Sequence, residues 1–120
     1  MALTLGDPRG IGPEIVARVL AAPPAGADFV VIGPEGLIRS LPAAERIAVD
    51  PPGEAPVTDA SRLGLDAPRA GKLAGLAVER AARLALDRQV DAIVTGPAEK
   101  RALHLAGFPF PGHTEWLAAL

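Results

Sequence analysis

Residues 70–97 read AGKLAGLAVERAARLALDRQVDAIVTGP, and the fold turns on how this stretch is parsed. On a helical wheel Leu73, Ala77, Val78, Ala81, Leu84 and Ala85 share one side, while Glu79, Arg80, Arg83 and Asp87 share the other. That spacing predicts an amphipathic helix over about 70–88. Ala92-Ile93-Val94-Thr95 follows as a short apolar run stopped by Gly96-Pro97, the pattern of a buried strand. A helix that delivers the chain into a buried strand is the repeating step of a parallel sheet.

The same step recurs upstream. Ala2-Leu3-Thr4-Leu5 is a short extended run, halted by Gly6-Asp7-Pro8-Arg9-Gly10. A helix then begins with Pro13 in its first turn, where a missing N–H is no loss, and Glu14 near its positive end. Ile15, Val16, Val19 and Leu20 give it an apolar side, and Pro23-Pro24 stop it. Phe29-Val30-Val31-Ile32 reads as a strand covered on both faces, 35–41 as a short helix, and Ile47-Ala48-Val49 as a third strand. Between Asp50 and Pro68 the residues Pro51, Pro52, Gly53, Pro56 and Gly64 leave no room for a long regular element, so 50–68 is expected to be an irregular excursion.

Beyond Pro97 the pattern gives a helix over 98–105 ending at Gly107, a stiff turn over 108–112, and a further helix begun by His113-Thr114-Glu115. The alternation predicts an α/β fold of three layers, a mostly parallel sheet with helices on both faces. The chain ends at Leu120 inside an apolar Trp-Leu-Ala-Ala-Leu run without a cap, so residues 1–120 are expected to be the leading portion of a longer protein.

Composition narrows the function classes. Twenty-four of the 120 residues are Ala, whereas Phe and Trp together number four and Tyr is absent, so the core is built from small and aliphatic side chains. Such a core lets helices approach closely but buries less area per residue than an aromatic one. A net charge of -2 supplies no basic excess for nucleic acid or an anionic membrane surface. The absence of Cys excludes disulfides, thiolate metal ligands and a Cys nucleophile. No apolar run approaches the length of a membrane span, and residues 1–5 are too short for a signal-peptide core, which points to a cytoplasmic protein.

Three segments carry chemistry. Gly6-Asp7-Pro8-Arg9-Gly10-Ile11-Gly12-Pro13-Glu14 lies between a strand and a helix, where ligands gather in parallel sheets. Its glycine spacing fails both the dinucleotide fingerprint and the phosphate-binding loop, and a plain tight turn also accounts for it. Thr95-Gly96-Pro97-Ala98-Glu99-Lys100 again follows a strand; Lys100 is placed to meet an anion or assist a proton transfer, or is a solvated first-turn lysine. In Gly112-His113-Thr114-Glu115 the histidine offers a donor, an acceptor or a cation near neutral pH, and the threonine caps a helix, a capping turn being the plainer alternative. His104, set between Leu103 and Leu105, is assigned to packing or surface, and two His without Cys make a self-contained transition-metal site improbable.

Together with Ala-Gly-Phe-Pro-Phe-Pro-Gly-His-Thr-Glu at 106–115, these segments resemble the N-terminal region of the 4-hydroxythreonine-4-phosphate dehydrogenase family. The resemblance covers nearly the whole chain except about 43–68. It implies part of an isocitrate/isopropylmalate-dehydrogenase-like fold, two α/β domains with the active site between them, in a homodimer. It also implies oxidation of the secondary hydroxyl of 4-phosphohydroxy-L-threonine with NAD or NADP and loss of CO2, a divalent metal acting as Lewis acid, and a product that feeds pyridoxal phosphate synthesis.

By the same resemblance His113 and Thr114 match the family's substrate-binding pair, while Lys100 and Asp7 are cleft-facing catalytic candidates. The family's three metal-ligand histidines fall beyond Leu120, so no metal ligand is expected in this chain, and catalysis by it alone is not expected. Arg9 stands where Ala is frequent in the family, and Glu99 where His or Asn is frequent. Two other readings stay open: a paralogue acting on a sugar-acid phosphate or an aromatic cis-dihydrodiol, and a ligand-binding module without chemistry.

Overall fold

The computed structural model describes residues 1–43, 45–108 and 113–119, with 113–115 described by backbone alone. Its centre is a four-stranded, wholly parallel sheet: β1 (Ala2–Thr4), β2 (Val30–Gly33), β3 (Glu45–Ala48) and β4 (Ile93–Thr95), in the order β3-β2-β1-β4. Leu3 lies opposite Val31 on one side and Val94 on the other. The connecting helices are α1 (Gly12–Ala21), α2 (Glu35–Ile38), α3 (Ala67–Leu86), α4 (Lys100–Leu105) and α5 (His113–Ala119), and a 3₁₀ turn spans Arg62–Gly64.

Strand alternation divides the core between the two faces. On one, Leu3, Leu5 and Val31 pack with Val16 and Leu20 of α1, Leu37 and Ile38 of α2, and Val57. On the other, Ala2 and Ile32 pack with Ala77, Ala81 and Leu84 of α3. The three layers expected from the alternation are therefore present. Alanine meeting alanine lets α3 lie close to the sheet, which is how a chain so poor in aromatics closes its core. The same economy of side chain recurs where α4 crosses α3: a Cβ on Gly71 would run into the carbonyl oxygen of Ala102. Phe108 and Trp116 meet beyond that crossing, ring centroids 5.0 Å apart and planes tilted by 40°, with Trp116 buried against Ala74, Val78 and Leu103.

Several boundaries differ from the sequence reading. Helix α3 starts at Ala67, because the side chain of Asp66 accepts the Arg69 N–H at 2.9 Å as a cap and Pro68 occupies the first turn, which tolerates it. Helix α2 stops at Ile38 rather than running to residue 41. β3 sits two residues earlier at its start than expected and exposes Glu45 and Arg46, charges that suit a sheet edge. β4 is not buried on both faces. It forms the opposite edge among the described residues, and Val94 is 45% exposed beside Ile15 of α1, itself 45% exposed. The helix expected from residue 113 is found, whereas the stiff turn over 109–112 lies outside the described residues.

Candidate functional site

The strand order fixes where a ligand site can form. From β1 the chain steps to β2 and β3 on one side, then returns to place β4 on the other side of β1. The loops leaving the carboxyl ends of β1 and β4 consequently diverge, and the gap between them is the topological switch point of a parallel sheet. Here the gap is a crevice of about 450 Å³ lined by Asp7, Arg9, Gly10, Ile11, Pro97, Ala98 and Glu99.

Backbone hydrogen bonds lace the two loops together below this crevice. The Gly96 N–H donates to the Thr4 carbonyl at 2.9 Å, and the Asp7 N–H donates to the Pro97 carbonyl at 2.9 Å. Gly6 makes this crossing possible: its φ is +76°, and a Cβ there would strike the carbonyl oxygen of Pro97. Gly6 and Gly12 thus serve close backbone approach, which the tight-turn alternative alone does not explain.

Asp7 is 6% exposed and organises the loop. Its Oδ1 accepts the Arg9 backbone N–H at 2.9 Å and Arg9 Nε at 3.2 Å, while Oδ2 accepts Arg9 Nη2 at 2.8 Å. The guanidinium is thereby held in a two-pronged fork, the strong geometry for such a pair. Nη2 also reaches Glu99 Oε2 at 3.3 Å, joining the β1 loop to the β4 loop. The hydrogen bond to Asp7 raises the Arg9 pKa above the ordinary arginine value; burial opposes this, and the charges of Asp7 and Glu99 add to it. Arg9 therefore stays charged at any working pH.

A second arginine grips the same loop from behind. Arg62, 9% exposed, donates through Nη1 to the carbonyls of Pro8 and Gly10, both at 2.9 Å, and through Nη2 to Glu14 Oε1 at 3.2 Å. The irregular stretch between β3 and α3 thus supplies the clamp that shapes the crevice wall. Sequence reasoning missed Arg62, and no local signal marks its role, because the partners it grips in the loop and at Glu14 lie 48–54 positions away.

Of the residues singled out from sequence, Asp7 lines the crevice with both oxygens engaged by Arg9. Lys100 is the first residue of α4, exposed and outside the crevice lining, with no bonded partner among the described residues. His113 and Thr114 begin α5, and their side chains lie outside the described residues. His104 is exposed on α4. Among the described residues no group of three or more His, Cys, Asp or Glu is arranged to hold a metal ion. Among them, too, no helix is long and apolar enough to cross a membrane.

A parallel α/β sheet with laced loops and a crevice at its switch point is the class of fold in which small ligands bind beyond the carboxyl ends of the strands. The chain belongs to the family described as pyridoxal phosphate biosynthetic protein PdxA, whose family model matches residues 27–120. It is 41% identical to D-threonate 4-phosphate dehydrogenase from Salmonella typhimurium, over all of this chain and 43% of that protein. Among solved structures, 4-hydroxythreonine-4-phosphate dehydrogenase from Klebsiella pneumoniae superimposes with a TM-score of 0.74 at 36% identity, covering 99% of this chain and 42% of that one. A terephthalate 1,2-cis-dihydrodiol dehydrogenase from Burkholderia xenovorans LB400 superimposes with a TM-score of 0.64 at 32% identity, covering 87% and 35%. The chain therefore spans about 43% of the length of the curated relatives it matches, and these named relatives are dehydrogenases.

Proposed function

We propose that this chain is the substrate-binding α/β portion of an NAD(P)- and divalent-metal-dependent dehydrogenase. Its substrate is a four-carbon hydroxy acid phosphorylated at C4, 4-phosphohydroxy-L-threonine being the first candidate. Oxidising a hydroxyl two carbons from a carboxylate gives a β-keto acid, which loses CO2 readily; the product then feeds pyridoxal phosphate synthesis. The observation that carries this reading is the crevice between the β1 and β4 loops, at the switch point of a sheet shared with dehydrogenases of this family.

The chain's own part is binding and orientation. Asp7 and Arg9 set the shape and charge of one wall, Lys100, next to Glu99 though outside the lining, offers a cation to the substrate, and His113 and Thr114 at the start of α5 contact it. The metal and dinucleotide belong to the whole protein, a cytoplasmic homodimer with its active site between two α/β domains, of which residues 1–120 form part of the first. Among the described residues no group of three or more His, Cys, Asp or Glu is arranged to hold a metal ion.

A second reading is favoured by one observation. The relative at 41% identity is named for D-threonate 4-phosphate, a sugar-acid phosphate that differs from the first candidate in carrying a hydroxyl in place of the amino group. Calorimetric titration of the chain with both compounds, and with inorganic phosphate as control, separates the cases. Tighter binding of either acid than of phosphate supports the site; the tighter of the two names the substrate. Equal, weak binding of all three refutes both.

A further inference from the structure

Among the described residues of its lining the crevice has one cationic side chain, Arg9, held by two carboxylates of very different standing. Asp7 is 6% exposed, grips Arg9 through both oxygens, and also caps the Arg9 backbone N–H, so it cannot leave without undoing the loop. Glu99 makes one contact, 3.3 Å to Nη2, from a side chain that is 53% exposed. A lone, exposed pair of this kind is weak and easily exchanged. Arg9 Nη1 makes no hydrogen bond to the described residues, so part of the guanidinium's donor capacity is unspent.

Charge bookkeeping then constrains what enters. With Glu99 in place the lining carries two negative charges and one positive, which repels an anion. With the Glu99 side chain swung into solvent, the Asp7–Arg9 pair is neutral and presents guanidinium N–H groups to the crevice.

We propose that Arg9 is an oxyanion ligand of this crevice, aligned by Asp7, and that Glu99 is an exchangeable placeholder displaced by the incoming carboxylate or phosphate. The proposal deepens the substrate site put forward above and rests on that reading. No bond is made or broken in the step; one oxyanion replaces another on Nη2. Glu99 thereby sets affinity, because an oxyanion that takes Nη2 must first displace it.

The test is titration of the full chain at low ionic strength with inorganic phosphate and, separately, with D-threonate, which carries a carboxylate but no phosphate. The variants are Glu99→Gln, Arg9→Met and the two combined. Glu99→Gln removes a charge at a half-exposed position and leaves the fork intact, so its fold is not at risk. The expected result is about fivefold tighter binding of one probe by Glu99→Gln, a gain abolished when Arg9→Met is added. The probe that gains identifies which end of the substrate Arg9 takes. Unchanged or weaker binding in Glu99→Gln overturns the proposal, as does the absence of binding in both wild type and Glu99→Gln. If the phosphorylated hydroxy acids bind the wild type well while Glu99→Gln has no effect, the placeholder fails and the substrate site survives. If Glu99→Gln tightens the probes while those acids bind no better than phosphate, the reverse holds.

Discussion

Arg9 and Glu99 are separated by ninety positions in the chain, yet Nη2 of the one stands 3.3 Å from Oε2 of the other across the crevice. These are also the two positions at which the motifs depart from the Ala and the His or Asn that the family resemblance leads one to expect. A departure on one loop thus meets a departure on the facing loop, with opposite charge. Each alone would place a charge in the crevice without a partner from the other wall.

Asp7 is the keystone of that arrangement. Asp7→Ala removes the fork and the bond to the Arg9 N–H together, and is expected to cost about 1–3 kcal/mol of stability in a denaturant melt. Asp7→Asn keeps an oxygen for the backbone N–H and should lose less. Equal losses from the two would show that the backbone bond contributes nothing.

Arg62 is expected to matter as much as any crevice residue, although it does not line the crevice. Arg62→Met leaves the Pro8 and Gly10 carbonyls without their donor, and should cost about 1–3 kcal/mol while accelerating amide exchange at Gly10 and Gly12. Arg62→Lys should recover part of both effects, since one ammonium reaches one carbonyl but lacks the fork. Unaltered exchange in Arg62→Met would remove the excursion from the account of the loop.

How much of this was legible beforehand depends on range. The helix of 70–88 and the strands at 29–32 and 92–95 announce themselves through local periodicity, and so does the layered fold. Asp66-Ala67-Pro68 was readable too, by the same first-turn logic that fits Pro13, but the run of prolines before it masks the cap. The exposure of Val94 goes with β4 being an edge among the described residues, which no local pattern reports. Arg62 and the Arg9–Glu99 contact depend on loops meeting across the fold, so sequence spacing is silent about them.

Gly71 tests the close crossing of α3 and α4. Gly71→Ala gains helix propensity yet drives a methyl into the Ala102 carbonyl, so a net loss of about 1–3 kcal/mol is expected. Lys72→Ala, one position along on the exposed side, should be close to neutral in the same melt. Stabilisation by Gly71→Ala would mean that α4 does not pack where the structure puts it.

Turnover provides a separate check on the division of labour. Incubated with NAD, manganese and 4-phosphohydroxy-L-threonine, the 120-residue chain is expected to give no steady rise in NADH absorbance, because the active site proposed above lies between two α/β domains and this chain forms part of one. A sustained, enzyme-dependent rise would contradict that assignment.

The central claim is that loops far apart in sequence form one substrate site at the β1–β4 switch point. Amide chemical-shift mapping with D-threonate 4-phosphate tests it most directly. The account predicts shifts concentrated together at Asp7 to Gly12, Gly96 to Lys100 and the start of α5. Shifts confined to the groove of about 500 Å³ along α3, lined by Val49, Leu76 and Arg80, would contradict it.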